Sequence, residues 1–215
     1  EAQCIFPSVN DEGIVPNRDC EPSWFTGGVS IGDVDGDGWE DLFVTRLAAP
    51  DALFINQGDG TFIDESAERG LGACTYTNGT LLADLDNDGD LDLVATGMGA
   101  ARNYLYINDG EGVFSEEAEA RGLALAVEGI RGGQGVTAGD YDRDGDLDLH
   151  INEWIDYGQM SDGGDPDTSH GSRLLENQGD ATFVDVTAAA GVSLHGLHPR
   201  GIYGFSSAFV DLDDD

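Results

Sequence analysis

Asp33-Val-Asp35-Gly-Asp37-Gly38-Trp39-Glu40-Asp41 sets the pattern on which the chain is built. It returns as Asp84-Leu-Asp86-Asn-Asp88-Gly89-Asp90-Leu-Asp92, and again as Asp140-Tyr-Asp142-Arg-Asp144-Gly145-Asp146-Leu-Asp148. A fourth copy begins at Asp211-Leu-Asp213-Asp-Asp215, the last residues of the sequence. The common form, D-x-D-x-D-G-x-x-D, gathers four carboxylates around a tight turn. Glycine at the sixth place permits the sharp bend.

Such a cluster is unfavourable without a counter-ion. Two like charges about 4 Å apart repel by roughly 1 kcal/mol in water and by about 4 kcal/mol at an effective dielectric near 20. Oxygen-only donors select a hard cation, and several anionic donors on a flexible loop favour Ca²⁺ over Mg²⁺. In the first loop the expected donors are Asp33, Asp35 and Asp37, the backbone carbonyl of Trp39, and Asp41. In the second they are Asp84, Asp86, Asp88, the Asp90 carbonyl and Asp92; in the third, Asp140, Asp142, Asp144, the Asp146 carbonyl and Asp148. The side chains of Asp90 and Asp146 are expected to face solvent. Asp211, Asp213 and Asp215 would start a truncated fourth site beside three complete ones.

The helix-loop-helix calcium site is excluded. Its loop ends at position twelve in a bidentate Glu, and position twelve here is Val44, Ala95 or Ile151. Each loop instead closes at position nine and runs into a strand-like segment: Leu42–Thr45, Leu91–Val94 and Leu147–His150. The loops are therefore expected to join two strands.

The similarity extends beyond the loops, at spacings of 51, 56 and 71 residues between first aspartates. Gly28–Gly32, Gly79–Ala83, Gly135–Gly139 and Ser207–Val210 precede the loops and read as inner strands with small residues for close packing. A hairpin follows each second strand: Leu53–Phe62, Leu105–Phe114 and Leu174–Phe183. Their Asn, Asp and Gly residues suit left-handed turn conformations. A short helix-like turn then ends each repeat, at Ser66–Leu71, Ala118–Leu123 and Thr187–Val192. Four strands per repeat describe an all-β chain, a β-propeller of four-stranded blades with a cation loop between strands 1 and 2. The blades run at about 27–75, 76–131 and 132–200, with a partial fourth at 201–215.

The D-x-D-x-D-G-x-x-D-L loops and N-x-G-D-G-x-F hairpins resemble FG-GAP/VCBS repeats, which build the seven-bladed heads of integrin alpha subunits. With its A-x-x-x-G-[LV] tail, the repeat is most similar to the cartilage acidic protein family. The resemblance covers about residues 27–215 and implies an extracellular, calcium-binding propeller whose ligands are the aspartates named above. Seven blades of about 55 residues need about 385 residues, so the half-finished loop at Asp211–Asp215 marks this chain as part of a larger ring, completed by further blades or by other copies.

Composition agrees with this reading. The 215 residues carry a formal net charge of -34, with 43 acids against nine cations, all of them Arg. Three Ca²⁺ would leave about -28. Nucleic acid and anionic membranes are disfavoured partners for such a surface. No apolar run approaches the ~20 residues of a membrane-spanning helix. The opening Glu1-Ala-Gln-Cys4 looks like a processed start. Cys4 and Cys20 could staple an N-terminal segment, residues 1–26, which leaves Cys74 for a partner elsewhere.

Other candidates are weaker. The polar insertion 156–172 offers Tyr157, Asp162, Asp165, Asp167 and His170. His195 and His198 lie beside Arg200, and Trp24, Trp39 and Trp154 could stack on sugars. Asn78-Gly79-Thr80 is a glycosylation sequon at an inner-strand start, where no modification is expected outside a eukaryote. No nucleophile elbow, phosphate loop or catalytic zinc motif occurs. The expected function is secreted or surface recognition and adhesion of a protein or glycan, with structural calcium. A subunit of an extracellular fibre or surface assembly, and part of a polysaccharide-processing enzyme, are the alternatives.

Overall fold

The computed structural model describes residues 27–46, 49–73, 75–99, 102–125, 131–156, 172–193, 201–203 and 206–211. These residues form an all-β structure without helices, built on three four-stranded antiparallel sheets. The first is β1 (Val29–Gly32), β2 (Asp41–Val44), β3 (Ala52–Asn56) and β4 (Phe62–Asp64). The second is β5 (Thr77–Ala83), β6 (Asp92–Gly99), β7 (Tyr104–Asn108) and β8 (Phe114–Glu116). The third is β9 (Arg131–Gly139), β10 (Asp148–Asp156), β11 (Arg173–Asn177) and β12 (Phe183–Asp185). A short β13 (Gly201–Tyr203) pairs with the far end of β10.

Strand periodicity explains the stacking. Successive side chains alternate between sheet faces, and the second sheet is apolar on both. Leu93, Ala95, Tyr106 and Phe114 meet Val34, Phe43, Leu53, Ile55 and Leu71 of the first sheet. Val94, Leu105 and Leu123 face the other way, onto Leu149, Ile151, Leu175 and Phe183 of the third. A one-residue register slip would carry Leu93 and Ala95 into the wrong layer, so burial fixes the pairing.

The sheets approach closely along their first strands. Thr45 Oγ1 accepts from Gly28 N of its own sheet and donates to the Asn78 carbonyl of the next, both at 2.7 Å. Thr96 repeats the device, accepting from Gly79 N at 2.9 Å and donating to the Gln134 carbonyl at 3.2 Å. Glycine makes the approach possible: a Cβ on Gly79 would lie 1.7 Å from the Gln134 oxygen. β6 also outruns β5 and pairs Met98 and Gly99 with Gly132 and Arg131 of β9, which ties the second sheet to the third.

One expected strand is not formed. Ser207–Val210 runs beside β10 without a ladder, although Ser207 Oγ lies 2.9 Å from His150 Nδ1 and 2.8 Å from Asn152 Nδ2. A strand needs a hydrogen-bonded neighbour, and among the described residues this segment has none. The end turns form as expected. Arg69 N, Arg121 N and Ala190 N each bond the carbonyl four residues back, one helical turn apiece.

Gly79→Ala should destabilise the fold by about 3 kcal/mol, the upper end of overpacking costs. Chemical denaturation at fixed calcium checks this; a loss under 1 kcal/mol would mean that the first strands are not clamped together.

Candidate metal centre

Each Asp loop bridges adjacent strands at one end of its sheet. The residue before the loop pairs with the ninth: Gly32 with Asp41, Ala83 with Asp92, Gly139 with Asp148. Inside the turn, Asp33 accepts from Asp37 N at 3.1 Å and Gly38 N at 2.8 Å. Asp140 accepts from Asp144 N and Gly145 N, both at 3.1 Å, and Asp84 from Gly89 N at 3.2 Å. The sixth-place glycines adopt φ of 90°, 98° and 100°, as the bend requires.

The ninth aspartates are buried. Asp41 receives Val34 N at 3.0 Å and Asn56 N at 2.8 Å. Asp92 receives Leu85 N at 3.1 Å and Asn108 N at 3.0 Å, and Asp148 receives Tyr141 N at 3.0 Å and Asn177 N at 2.9 Å. Each carboxylate thus binds the second residue of its loop and the start of its hairpin at once.

Three acidic clusters can hold a metal ion. Asp33, Asp35 and Asp37 bring carboxylate oxygens within 4.8 Å of one another, as do Asp84, Asp86 and Asp88. In the third loop the grouping is Asp140, Asp142 and Asp148, and Asp144 stands outside it. Asp35 Oδ1, Asp84 Oδ1 and Asp86 Oδ1 are buried carboxylate oxygens with no hydrogen-bond donor. A buried acceptor left unmatched is costly, so the donor set of the first two loops fits a cation. Of the fourth cluster only Asp211, which is exposed, lies among the described residues.

Electrostatics point the same way. Burial, followed by repulsion from Asp86 and Asp88, pushes Asp92 up to about 6, against two backbone N–H bonds that oppose the shift. Burial likewise raises Asp41 and Asp148, each with two neighbouring loop carboxylates adding to it. Asp86 and Asp142 are raised by desolvation first and by the adjacent Asp88 or Asp144 second.

Residues 33–95 and 84–151 match the FG-GAP-like repeat, so more than half of the chain is covered. The chain belongs to the FG-GAP-like repeat family. Among curated proteins it is 32% identical over 158 residues to cartilage acidic protein 1 of Homo sapiens, a match covering 68% of this chain and 23% of the human protein. It is 30% identical to the Xenopus tropicalis protein of the same name (60% and 20% covered) and 32% identical to that of Mus musculus (58% and 19% covered). This chain therefore spans about a quarter or less of those relatives' length. Among solved structures, an Agrocybe aegerita lectin described as recognising non-reducing terminal N-acetylglucosamine aligns at TM-score 0.42 and 20% identity, covering 74% of this chain and 36% of that one.

Several contacts in this FG-GAP-like chain escape a sequence reading. The hairpin asparagines reach across sheets: Asn108 Nδ2 donates to Val34 O at 2.8 Å and Leu91 O at 3.1 Å, and Asn177 Nδ2 to Leu85 O at 2.7 Å and Leu147 O at 3.1 Å. Left-handed turn conformations fall to Gly58 and Gly60, Gly110 and Gly112, and Gly179 and Ala181, not to these asparagines. Asp90 and Asp146 are half-buried, contrary to expectation; each lies over its hairpin glycine, and Asp146 accepts from Asn87 at 2.7 Å. Trp39 takes the same place over Gly58, half exposed. The regular position of Arg69 and Arg121 in the end turns was the one available signal for their contacts with loop and hairpin.

The Asn78 side chain is buried, and its Nδ2 donates to Gln134 Oε1 at 2.9 Å and Gly133 O at 3.2 Å. The folded chain cannot present that amide for glycosylation. Cys4, Cys20, Cys74, Trp24, residues 157–171, His195, His198, Arg200, Asp213 and Asp215 lie outside the described residues, and of Trp154 only the backbone is described. No described helix is long and apolar enough to cross a membrane.

In calcium-free protein, the raised Asp92 value gives a signed pH effect. The folded form keeps a proton near pH 5 that the unfolded chain, at about 3.9, has lost. This stabilisation is full at low pH and is lost as pH rises through about 6. Between pH 5 and 7 the loss is about 1.3 kcal/mol. His150, which burial holds low, acts oppositely in that window, so the comparison is with Asp92→Asn. In chelator, that variant should gain about 1.3 kcal/mol on the wild-type chain from pH 5 to pH 7. Parallel stability profiles would show that Asp92 is not a destabilised buried charge.

Proposed function

We propose that this chain is part of a secreted or cell-surface β-propeller in which calcium is structural and the calcium-pinned loops hold a rigid surface for protein or glycan recognition. The three sheets are its blades, at about 27–75, 76–131 and 132–200, and residues 201–215 begin a fourth. Asp33, Asp35, Asp37, the Trp39 carbonyl and Asp41 would hold one ion. Asp84, Asp86, Asp88, the Asp90 carbonyl and Asp92 would hold a second, and Asp140, Asp142, Asp144, the Asp146 carbonyl and Asp148 a third. The observation that carries this reading is a buried carboxylate oxygen without a donor inside each of the first two acidic clusters, on Asp35 in one and on Asp84 and Asp86 in the other.

When bound, calcium would neutralise the clustered carboxylates. The chain's own part is to preorganise them: backbone N–H groups orient the first, fifth and ninth aspartates before any ion arrives. An extracellular setting supplies the millimolar calcium that open loops require, and membership of the FG-GAP-like family supports it. The acidic character shared with relatives named for cartilage and acidity is consistent with that placement. Recognition is the finer part of the proposal, resting on the family and on rigid loops at one end of each sheet.

Three sites held at ten times their dissociation constants add about 4 kcal/mol together, comparable to a domain's whole margin. Excess EGTA should therefore lower the melting temperature by about 10 °C, at 2–4 °C per kcal/mol for a chain of this size. An unchanged melt would remove the structural-calcium reading. Recognition is tested by binding of the loaded and chelated chain to a glycan array, with signal expected only when calcium is present.

A further inference from the structure

Arg69 occupies a junction that the repeat pattern does not explain. Its guanidinium, with its side chain 14% exposed, makes three bonds of 2.9 Å: Nε to Glu65 of its own turn, Nη2 to Asp35 Oδ2 of the first Asp loop, and Nη1 to the Glu111 carbonyl in the second sheet's hairpin. The other oxygen of the same carboxylate, Asp35 Oδ1, is buried without a donor, and Asp35 is a member of the first cluster. Gly112 makes room for this arrangement. A Cβ there would fall 2.1 Å from Arg69 Nη1 and 3.0 Å from Asp35 Cβ.

The next joint shows what happens without that room. Arg121 keeps the bond to Glu117, at 2.7 Å, and the contact with the Asp180 carbonyl. The residue matching Gly112 is Ala181, which carries a methyl group, and Arg121 bears on Asp86 only through its charge. The third end turn has Ala190 in place of the arginine. The three loops are therefore not equivalent.

We propose that Arg69 is a positioning residue for the cation of the first loop. By fixing Asp35 Oδ2 it holds Oδ1 toward the ion, and by gripping Glu111 it makes occupancy of that loop depend on the seating of the second sheet. The inference rests on the calcium reading above. A lysine cannot replace it, since a point charge on a flexible stem cannot hold three acceptors in a fixed fork. Partners that orient a metal ligand are typically worth tenfold or more in affinity. The alternative role, a competing cation that repels the metal, gives the opposite sign.

The experiment is Tb³⁺ titration of the chain, read by tryptophan-sensitised emission, with Ca²⁺ competition. Trp39→Phe assigns the first-loop signal as the part it removes. Arg69→Gln and Arg69→Lys should each weaken the first-loop affinity about tenfold, and Gly112→Ala, which keeps the charge but displaces the guanidinium, should do the same. Arg121→Gln should change the second loop less. Affinity unchanged or tightened in the Arg69 variants overturns the proposal, even where their calcium-free melting temperature falls. Absence of sensitised emission in the wild-type chain, with no melting shift on chelation, would instead remove the calcium reading itself.

Discussion

The fold depends on a buried carboxylate at the ninth place of each loop. Asp41, Asp92 and Asp148 are at most 1% exposed, and each accepts one N–H from its loop and one from the start of its hairpin. No apolar side chain could tie those two segments together. The carboxylate gives each donor its own oxygen, Oδ2 for the loop and Oδ1 for the hairpin. The arrangement puts a titratable carboxyl at a buried place beside other carboxylates, and burial raises the proton affinity of all three. A divalent cation resolves the conflict without removing the acceptors. The geometry that closes each sheet is in this way also one that could hold a metal ion.

The same loops serve the joints between sheets. The hairpin asparagine that gives its backbone N–H to the ninth aspartate gives its side-chain amide to the preceding sheet's loop. Phe114 N and Phe183 N bond the Arg69 and Arg121 carbonyls of the preceding end turns. Local loop structure and sheet stacking are thus formed by shared residues. A chain in which each repeat is completed by its neighbour behaves as a linear array of coupled elements. Loosening one loop weakens the adjoining joint as well as its own sheet.

What could be read from the sequence follows from what is local. The D-x-D-x-D-G-x-x-D spacing, the strand-like segments that follow it, and the turns closed by Gly70 and Gly122 encode their own conformations, and the structure has them. Position twelve, Ala95 and Ile151, is buried in strand, as a loop closing at nine requires. The contacts that went unread are distant in sequence. Asn108 and Val34 are 74 residues apart, and Asn177 and Leu85 are 92 apart. An asparagine two residues before Gly looks like a turn former, because nothing nearby reveals a carbonyl waiting in another sheet. Asp90 and Asp146 misled for the same reason: a charged residue in a Gly-rich loop reads as solvated until its hairpin folds over it. Ser207–Val210 carries strand-like residues, yet propensity alone does not make a strand where no neighbour among the described residues supplies the ladder.

The two ends of the stack differ in chemistry. On the open side of the first sheet Val29, Ile31 and Phe62 are 59%, 62% and 42% exposed; the matching face of the second sheet is buried through Leu82, Tyr106 and Phe114. The far side of the third sheet is polar. Tyr141, His150 and Glu176 stand where the first two sheets have Val34 and Leu85, Phe43 and Val94, Ile55 and Ile107. Tyr141 donates to Glu176 at 2.9 Å, and His150 meets Ser207. Part of that side is covered by the chain itself: Ser207 lies against His150 and Asn152, and a Cβ on Gly139 would fall 2.5 Å from the Phe209 ring. A surface that covered Val29, Ile31 and Phe62 would have to be apolar, as Val34, Phe43 and Ile55 are where they meet Leu82, Tyr106 and Phe114 of the second sheet.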